Sequence, residues 1–292
     1  MIKFLAKGLI RDRSRSLFPL LTIIITVTLV IFGIGFMEGA MNNFLQSTAV
    51  ISSGHVKVVT KAYEKESSQL PNDLALFETN KIIQNLSDLY PNYFWTPRIT
   101  FGGLLDAPNE DGETKEQGPV FGIGIDFHSK TSRQIEIWEL EKYLLHGNLP
   151  KNTNDALMST KLAKQLNINV GSTVTLISTT MDNAFTTYNF EITGIFNLNK
   201  GQVDRQMMLV DISGARQALG MEGAASEILG YHQSLYYNDN EATSMRNDFN
   251  LTISDSITKV LRDEASYDAL SFMNGWNMIS DIEKRKLPRQ RT

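Results

Sequence analysis

The sequence predicts an α+β protein with one membrane-spanning helix near its N-terminus and a large domain on the far side of the membrane. Three observations predict this class. Residues 17–37 form a run of 21 residues without a charged side chain. Basic residues stand before this run, and an acidic body follows it. Beyond residue 41, patterns typical of strands alternate with patterns typical of helices.

The amino-acid composition limits the number of domains and the kinds of site that the chain can form. The 292 residues are enough for one or two packed domains. A mean hydropathy of −0.18 argues against several membrane helices within this chain. The absence of cysteine excludes disulfide bonds, thiolate metal sites and cysteine nucleophiles.

The charges are unevenly distributed along the chain. Residues 1–16 contain five basic side chains and one acidic one, and residues 283–292 contain the same numbers, so each end carries +4. The whole chain carries −4, which leaves −12 on the residues between the two ends. Because an acidic body repels phosphates, we expect no nucleic acid among the partners.

The predicted membrane helix is Leu17–Met37. A helix of this length spans about 30 Å, the thickness of a bilayer core. Pro19 is expected in the first turn, where its missing N–H is tolerated. Because the basic residues precede the span, we expect residues 1–16, an amphipathic basic segment, to be cytoplasmic and the body to be extracytoplasmic. A cleaved signal peptide and a buried helix of a soluble protein are the alternative interpretations.

The body shows mixed strand and helix patterns without an internal repeat. Polar loops are predicted at Asn109–Gly118 and at Thr179–Tyr188. Ser159 is the expected N-cap of a short helix. Helical patterns cover Glu78–Tyr90, Thr160–Leu166, Ser213–Leu219 and the residues from Glu241 onward. Strand patterns cover Gly54–Val59, Phe94–Leu105, Val120–Ile125, Thr173–Ser178, Phe190–Phe196, Gln206–Val210 and Ile228–Tyr237.

No catalytic or cofactor-binding constellation is found in the sequence. A P-loop is absent, and Gly122-Ile123-Gly124 lacks the third glycine of a dinucleotide-binding turn. Ser159 and Lys161 could form a serine–lysine dyad, but the cap interpretation is favoured. The histidines have no metal-ligand spacing, so we expect no metal and no cofactor. They are His55, His128, His146 and His232.

The order of several segments resembles the FtsX-like permease superfamily, of the MacB and lipoprotein-release (LolC/LolE) type. The resemblance begins with Arg15-Ser16-Leu17 at the membrane entry and continues with Gly54-His55-Val56-Lys57-Val58 and Tyr63. Further similarity lies in Asp204, in Ala215-Arg216-Gln217, and in Trp276 before the expected return to the membrane. The most specific part comprises Met158–Leu166, Val170–Leu176 and Phe190–Phe196, which ends in Gly-Ile-Phe.

This resemblance implies a two-lobed extracytoplasmic domain. Residues 41–115 and 222–280 would form a discontinuous porter-like α+β lobe, and residues 116–221 an inserted, β-rich Sabre-like lobe. Residues 281–292 would be a basic segment at the expected membrane re-entry. The sequence departs from the family pattern at Ser172, where an acidic residue is common, and at Asn148, where an arginine is common. Because the family's further membrane helices and cytoplasmic coupling loop are missing, we expect a fragment or a truncated product.

The resemblance implies a permease subunit of an ABC transporter that has no enzymatic activity of its own. ATP would be hydrolysed by a separate cytoplasmic ATPase, and nucleotide-driven movement would reach the outer domain by mechanotransmission. Further expected partners are a second permease copy or paralogue, membrane lipid and a periplasmic client or partner protein. The client would be a lipoprotein, a small molecule or a peptide. An alternative is a single-pass anchored binding or scaffold module.

A candidate for client contact lies in the loop Thr179–Tyr188. The resemblance implies that lipoprotein-release permeases have a long hook-like loop at this position, which binds a soluble carrier protein. The loop here has ten residues, with Met181 and Phe185 as its apolar residues. Ten residues are too few for a long protruding hook. We therefore expect no carrier recruitment through this loop, and a MacB-like or undetermined client.

Overall fold

The computed structural model describes residues 13–108, 114–129, 132–198 and 205–263. The chain divides into two compact units, Met1–Ala49 and Val50–Thr292. Several sequence predictions fall outside the described residues. They concern residues 1–12, the loop residues 109–113, Asp204, Trp276 and the basic segment 281–292.

The first unit is dominated by helix α1, Arg13–Thr48, which has 36 residues. It contains the predicted span 17–37 and continues well past Glu38, to a length of about 54 Å. Pro19 therefore lies inside the helix rather than in its first turn, which corrects the sequence prediction. Among the described residues, this is the one helix long and apolar enough to cross a membrane, by length and composition.

The second unit is an α+β domain that contains nine strands in its described part. After a π-helical turn, Ala49–Ser53, its helices are α2 Lys61–Glu66, α3 Thr79–Leu89, α4 Gln134–Ile137, α5 Leu140–Tyr143, α6 Thr160–Gln165, α7 Ile212–Leu219 and α8 Asp239–Asp263. Short 3-10 turns cover Ser67–Gln69 and Asn72–Leu74. The strands are β1 Val56–Val58, β2 Tyr93–Pro108, β3 Thr114–Ile125, β4 Leu144–Gly147, β5 Asp155–Ser159, β6 Thr173–Thr179, β7 Phe185–Phe196, β8 Met207–Asp211 and β9 Glu227–His232.

The strands are hydrogen-bonded in the order β1-β9-β2-β3-β8-β5-β7-β4, and β6 pairs with both β2 and β7. Strands β2, β3, β8, β5, β7 and β6 thus form a closed ring of pairings. Closure removes free strand edges within the ring, which protects it from edge-to-edge association. Outside the ring, β9 and β1 continue the sheet from the first half of β2, and β4 pairs with β7.

Strand β2 changes its partner along its length. Its residues Tyr93–Arg98 pair with β9, and its residues from Ile99 onward pair with β3. The first half of β2 thus joins segments from both ends of the predicted porter-like lobe, and the second half belongs to the ring. The two-lobed division itself stays a prediction.

The core consists of three buried clusters. The first is built from alternate residues of the ring strands, such as Phe101, Met158 and Phe190, together with residues of α6 and α7. The second lies on the opposite faces of β5 and β8 and includes Trp138 and Tyr231. The third joins α3, the first half of β2, β9 and α8. This alternation gives strands β5 and β8 two buried faces.

The structure confirms the predicted Ser159 cap and corrects two predicted loops. The Ser159 hydroxyl accepts a hydrogen bond from the backbone N–H of Leu162 at 3.3 Å, at the start of α6. The loop 179–188 is only a short turn, because β6 extends to Thr179 and β7 begins at Phe185. The loop 109–118 is also shorter, because β3 begins at Thr114. Pairing between neighbouring strands stabilises these polar stretches as strand.

Candidate functional site

A buried ion pair between Arg98 and Glu227 lies next to the segment with which the second unit begins. Both side chains are almost fully buried, and Arg98 Nε lies 2.6 Å from Glu227 Oε1. The antiparallel register of β2 and β9 places these two residues directly opposite each other. Lys57 of β1 adds a second cation, with its Nζ 3.1 Å from Glu227 Oε2.

The remaining nitrogens of Arg98 bind the backbone that follows helix α1 in the chain. Arg98 Nη1 donates to the carbonyl of Ile51 at 2.8 Å, and Nη2 donates to the carbonyl of Ser52. Both carbonyls belong to the π-helical turn Ala49–Ser53. The last carbonyls of a helix lack intrahelical partners and carry partial negative charge, so a guanidinium is a favourable ligand for them.

Two further hydrogen bonds fix the same segment to β9. The Tyr231 hydroxyl donates to the carbonyl of Val50 at 3.0 Å, and the His55 N–H donates to the carbonyl of Gly230 at 2.9 Å. Burial raises the pKa of Tyr231, so its hydroxyl keeps the donated proton. Gly54 has φ +66°, a left-handed conformation that favours glycine. The residues 50–55 are therefore held to β2 and β9 by side chains and backbone together.

We call this arrangement the coupling site, defined by Arg98, Glu227, Lys57, Tyr231 and the segment 50–55. Removing one partner of a buried ion pair leaves an uncompensated charge and costs about 3–5 kcal/mol. The segment 50–55 is therefore held firmly to β2 and β9 within the second unit. The polar atoms of this site bind one another.

Sequence reasoning did not find the coupling site. Arg98 and Glu227 are 129 residues apart in the chain. Arg98 stands within a strand pattern and Glu227 directly before one, and no motif surrounds either residue. The segment Ser52-Ser53-Gly54 has the composition of a loop, which conceals how firmly it is held. One available signal was the presence of a charged residue within each of two otherwise buried strands.

The structure separates the two apolar residues of the predicted client contact. Phe185, the first residue of β7, pairs with Thr179, and its side chain is 74% exposed. Met181 is partly buried against the first core cluster, and its N–H donates to the carbonyl of Leu219 at 2.9 Å. The turn between the strands is closed by a hydrogen bond from Thr180 N–H to Ala184 O at 2.8 Å. Only Phe185 presents a large apolar surface at this turn.

The four histidines have different surroundings. His55 and His232 are neighbours, because the backbone N–H of His232 donates to Nδ1 of His55 at 3.0 Å. His128 Nε2 lies 3.6 Å from Asp211, and His146 is exposed on β4. Within the residues that the structure describes, no group of three or more histidine, aspartate or glutamate side chains is placed to hold a metal ion.

Comparison with known proteins shows the family. A family model described as the MacB-like periplasmic core domain matches residues 16–271. The chain belongs to this family. As a MacB-like domain, it is a component of the ABC transporter permease type, and this membership implies an ATPase partner. A transporter component of this kind is consistent with a protein that is not itself an enzyme.

Among solved structures, the periplasmic region of MacB from Actinobacillus actinomycetemcomitans is similar to this MacB-like chain. It is 14% identical, and the match covers 63% of this chain and 83% of that one, with a TM-score of 0.40. No match was found among curated proteins. The family and the apolar helix α1 fit an inner-membrane protein that has an extracytoplasmic-type domain.

Proposed function

We propose that this chain is part of an ABC transporter permease that works by mechanotransmission. A separate cytoplasmic ATPase binds and hydrolyses ATP, and a second permease copy or paralogue completes the dimer. Helix α1 moves with the nucleotide state, and the extracytoplasmic domain follows it. The nucleotide state shifts the balance between two discrete arrangements of the permease, and no covalent bond is made or broken in the domain.

The coupling site is the observation that carries this proposal. A helix can transmit displacement to a domain only if the connecting backbone does not absorb it. Here the connection 50–55 is bound by the guanidinium of Arg98 and by the hydroxyl of Tyr231. Because Arg98 is itself fixed by Glu227 on β9, a displacement of this segment acts on β2 and β9 together.

The clients are lipoproteins, small molecules or peptides, taken from the outer leaflet of the membrane or from the periplasm. The short β6–β7 turn favours a MacB-like or undetermined client over recruitment of a soluble lipoprotein carrier. The porter-like lobe, 41–115 and 222–280, then carries the coupling site, and the Sabre-like lobe, 116–221, carries the turn with Phe185.

The test separates coupling from folding. The double change Arg98→Met with Glu227→Met replaces the ion pair by apolar side chains, which is often neutral for stability, but it removes the donors to Ile51 and Ser52. In the full-length transporter with its ATPase, we expect transport to fall at least about ten-fold while ATP hydrolysis stays within about two-fold, a loss of about 1.4 kcal/mol or more in coupling.

The matched control is Arg133→Gln with Glu136→Gln, an exposed ion pair at the start of α4. This control should leave both transport and ATP hydrolysis unchanged. Unchanged transport in the folded methionine variant would refute coupling through Arg98.

The second candidate function is a single-pass anchored binding or scaffold module. Under this alternative, the same methionine variant would bind its partner as the wild type does, and no ATPase would copurify with the chain. Copurification of the full-length gene product with an ATPase subunit therefore decides between the two functions.

A further inference from the structure

The closed ring of strands and the sheet beside it share strand β2. We call β1, β9 and the first half of β2, Tyr93–Arg98, the side sheet. Strand β2 leaves β9 after Arg98 and pairs with β6 at Leu104–Asp106. Between these positions, the N–H of Thr100 donates to Ser226 Oγ at 3.0 Å, and its carbonyl accepts from Asn72 Nδ2 at 3.0 Å. On this stretch, side chains therefore bind backbone atoms that pair with neither β9 nor β6.

Arg216 of α7 links the ring to the side sheet at a second place. Its Nε donates to the carbonyl of Ala224 at 3.0 Å, and its Nη2 donates to Thr79 Oγ1 at 3.2 Å. Helix α7 packs on the ring through the first core cluster. Thr79 is the first residue of α3, which packs against the side sheet in the third cluster. We call Arg216, Thr79 and the carbonyls of Gly223 and Ala224 the tie.

The acceptors of Arg216 belong to chain segments that are themselves fixed. Thr79 donates twice to the carbonyl of Gly223, from its N–H at 3.1 Å and from its hydroxyl at 3.2 Å. Leu76 and Ala225 exchange two backbone hydrogen bonds, at 2.8 and 2.9 Å. The Thr79 side chain is buried, so the tie is largely shielded from competing water.

The charge of Arg216 strengthens the hydrogen bonds that it donates. Bonds from a charged donor are about twice as strong as bonds between neutral groups. Burial lowers the pKa of Arg216, and the carboxylates of Asp126 and Asp211 counteract this because they favour the charged guanidinium. Asp211 is buried at the end of β8 and accepts from the N–H groups of Phe127 and Ser213, so this carboxylate is fixed on the ring. The guanidinium is thus supported from the ring while it binds Thr79 and Ala224.

We infer that Arg216 is a positioning residue, which fixes the orientation of the ring relative to the side sheet. A single strand can twist and bend along its length, so the sharing of β2 alone leaves this orientation adjustable. Gly102 and Gly103 directly follow the stretch at Thr100, and glycine weakens the interior of a strand. A second attachment through the tie removes this freedom, as in domains whose hinge is held by contacts outside it.

The consequence for transport rests on the proposed function. A displacement at the coupling site acts on β2 and β9, which belong to the side sheet. The tie passes this displacement on to the ring, because α7 follows the segment 223–224 to which Arg216 is bonded. The orientation itself does not depend on transport, so its test stays valid if the chain proves not to be part of a transporter.

The first measurement is hydrogen exchange of the full chain in detergent micelles. Arg216→Met removes both donors, Thr79→Val removes the hydroxyl acceptor at nearly unchanged size, and Thr79→Ser retains the hydroxyl. In Arg216→Met and Thr79→Val, peptides covering residues 71–79 and 221–226 should exchange about ten- to a hundred-fold faster than in the wild type. In Thr79→Ser they should stay within about two-fold, and reference peptides from β5 and β8 should do so in every variant.

The second measurement reports orientation, which a purely local stabilising role would not change. The chain contains no cysteine, so Gln84→Cys on α3 and Lys164→Cys on α6 provide two unique positions for spin labels. Both side chains are exposed. Electron paramagnetic resonance then measures the distance distribution between the labels. We expect one distance population in the wild type and in Thr79→Ser, and a second population in Arg216→Met and in Thr79→Val.

Arg133→Gln is the matched control, because Arg133 forms an exposed ion pair outside the tie. It should leave both measurements at their wild-type values. Unchanged exchange of the two junction peptides in Arg216→Met would overturn the inference. Faster exchange with an unchanged distance distribution would also overturn it, since Arg216 would then stabilise the junction without setting the orientation. If Arg216→Met accelerates exchange in β5 and β8 as well, the comparison of Thr79→Val with Thr79→Ser decides, and equal distances in these two variants would refute the positioning role.

Discussion

Arg98 Nε lies 2.6 Å from Glu227 Oε1, and the pair joins β2 to β9 at the residue where β2 exchanges β9 for β3 as its partner. One guanidinium therefore fixes three parts of the domain. It binds a buried carboxylate, it holds the junction between two halves of a long strand, and it binds the carbonyls of Ile51 and Ser52. Because one side chain makes all of these contacts, the loss of Arg98 should affect all three parts of the domain.

The first prediction concerns the stability that Arg98 provides. Arg98→Met should lower the free energy of unfolding of the full chain in detergent by about 3 kcal/mol, because Glu227 stays buried without its main partner. The nearby Lys57 limits the loss to the lower end of the usual range. Chemical denaturation followed by circular dichroism measures it. Arg133→Met, in an exposed ion pair, should cost less than about 1 kcal/mol. A cost below 1 kcal/mol for Arg98→Met would contradict the prediction.

The second prediction concerns the Ser159 cap of α6. Ser159→Ala removes the acceptor for the N–H of Leu162, so the free energy of unfolding should fall by about 1 kcal/mol. Ser87→Ala is the control, because Ser87 is exposed within α3 and its hydroxyl bonds back to the Ile83 carbonyl. The control should change stability by less than about 0.5 kcal/mol. Equal effects of the two changes would show that the cap does not stabilise the domain.

The third prediction concerns acid stability through His55. Because its pKa is about 4 in the fold and 6.5 when unfolded, the unfolded chain binds a proton first as the pH falls. The stability that His55 provides is therefore complete above pH 6.5 and is lost between 6.5 and 4. Between pH 7 and pH 5, the loss should be about 2 kcal/mol.

Thermal or chemical unfolding at the two pH values measures this loss in the wild type and in His55→Asn. The asparagine keeps an acceptor for the His232 N–H and does not titrate, so the pH dependence should shrink by about 2 kcal/mol. His146→Asn, on the exposed β4 edge, is the control that should retain the wild-type dependence. An unchanged dependence in His55→Asn would show that His55 is not the group responsible.

Local signals in the sequence were sufficient for part of the fold. Ser159 precedes a short helix and its cap depends on residues three positions away, so the sequence predicted it and the structure confirmed it. Helix α3 follows from apolar residues at helical spacing before Pro91, and it was found within one residue at each end. In both cases the determining contacts lie within one or two turns of the chain.

Non-local contacts explain what the sequence did not predict. Arg98 and Glu227 are paired only because β2 and β9 are neighbours, and no local pattern specifies that register. The stretch 185–188 contains two threonines and has asparagines on either side, so its composition is typical of a loop. It is strand because it pairs with β6 along its whole length. The closed ring of strands likewise depends on the β2–β6 pairing, which joins distant segments.

The last prediction concerns the β6–β7 turn and the class of client. The changes are Met181→Ser and Phe185→Ser, made together and singly in the full-length transporter. Phe185→Ser should change the free energy of unfolding by less than about 0.5 kcal/mol, because the side chain is 74% exposed. Met181→Ser should cost about 1–2 kcal/mol, because Met181 packs against the first core cluster.

Phe185→Ser is therefore the informative variant, since it removes the exposed apolar surface and leaves the fold intact. We expect lipoprotein release and export of toxic small molecules each to stay within about two-fold of the wild type for this variant, because a five-residue turn between paired strands offers too little surface to hold a soluble carrier. Thr187→Ala, an exposed change two residues further along the same face of β7, is the control. If lipoprotein release alone collapses in Phe185→Ser while the protein remains folded, the turn recruits a carrier after all, and the client belongs to the lipoprotein class.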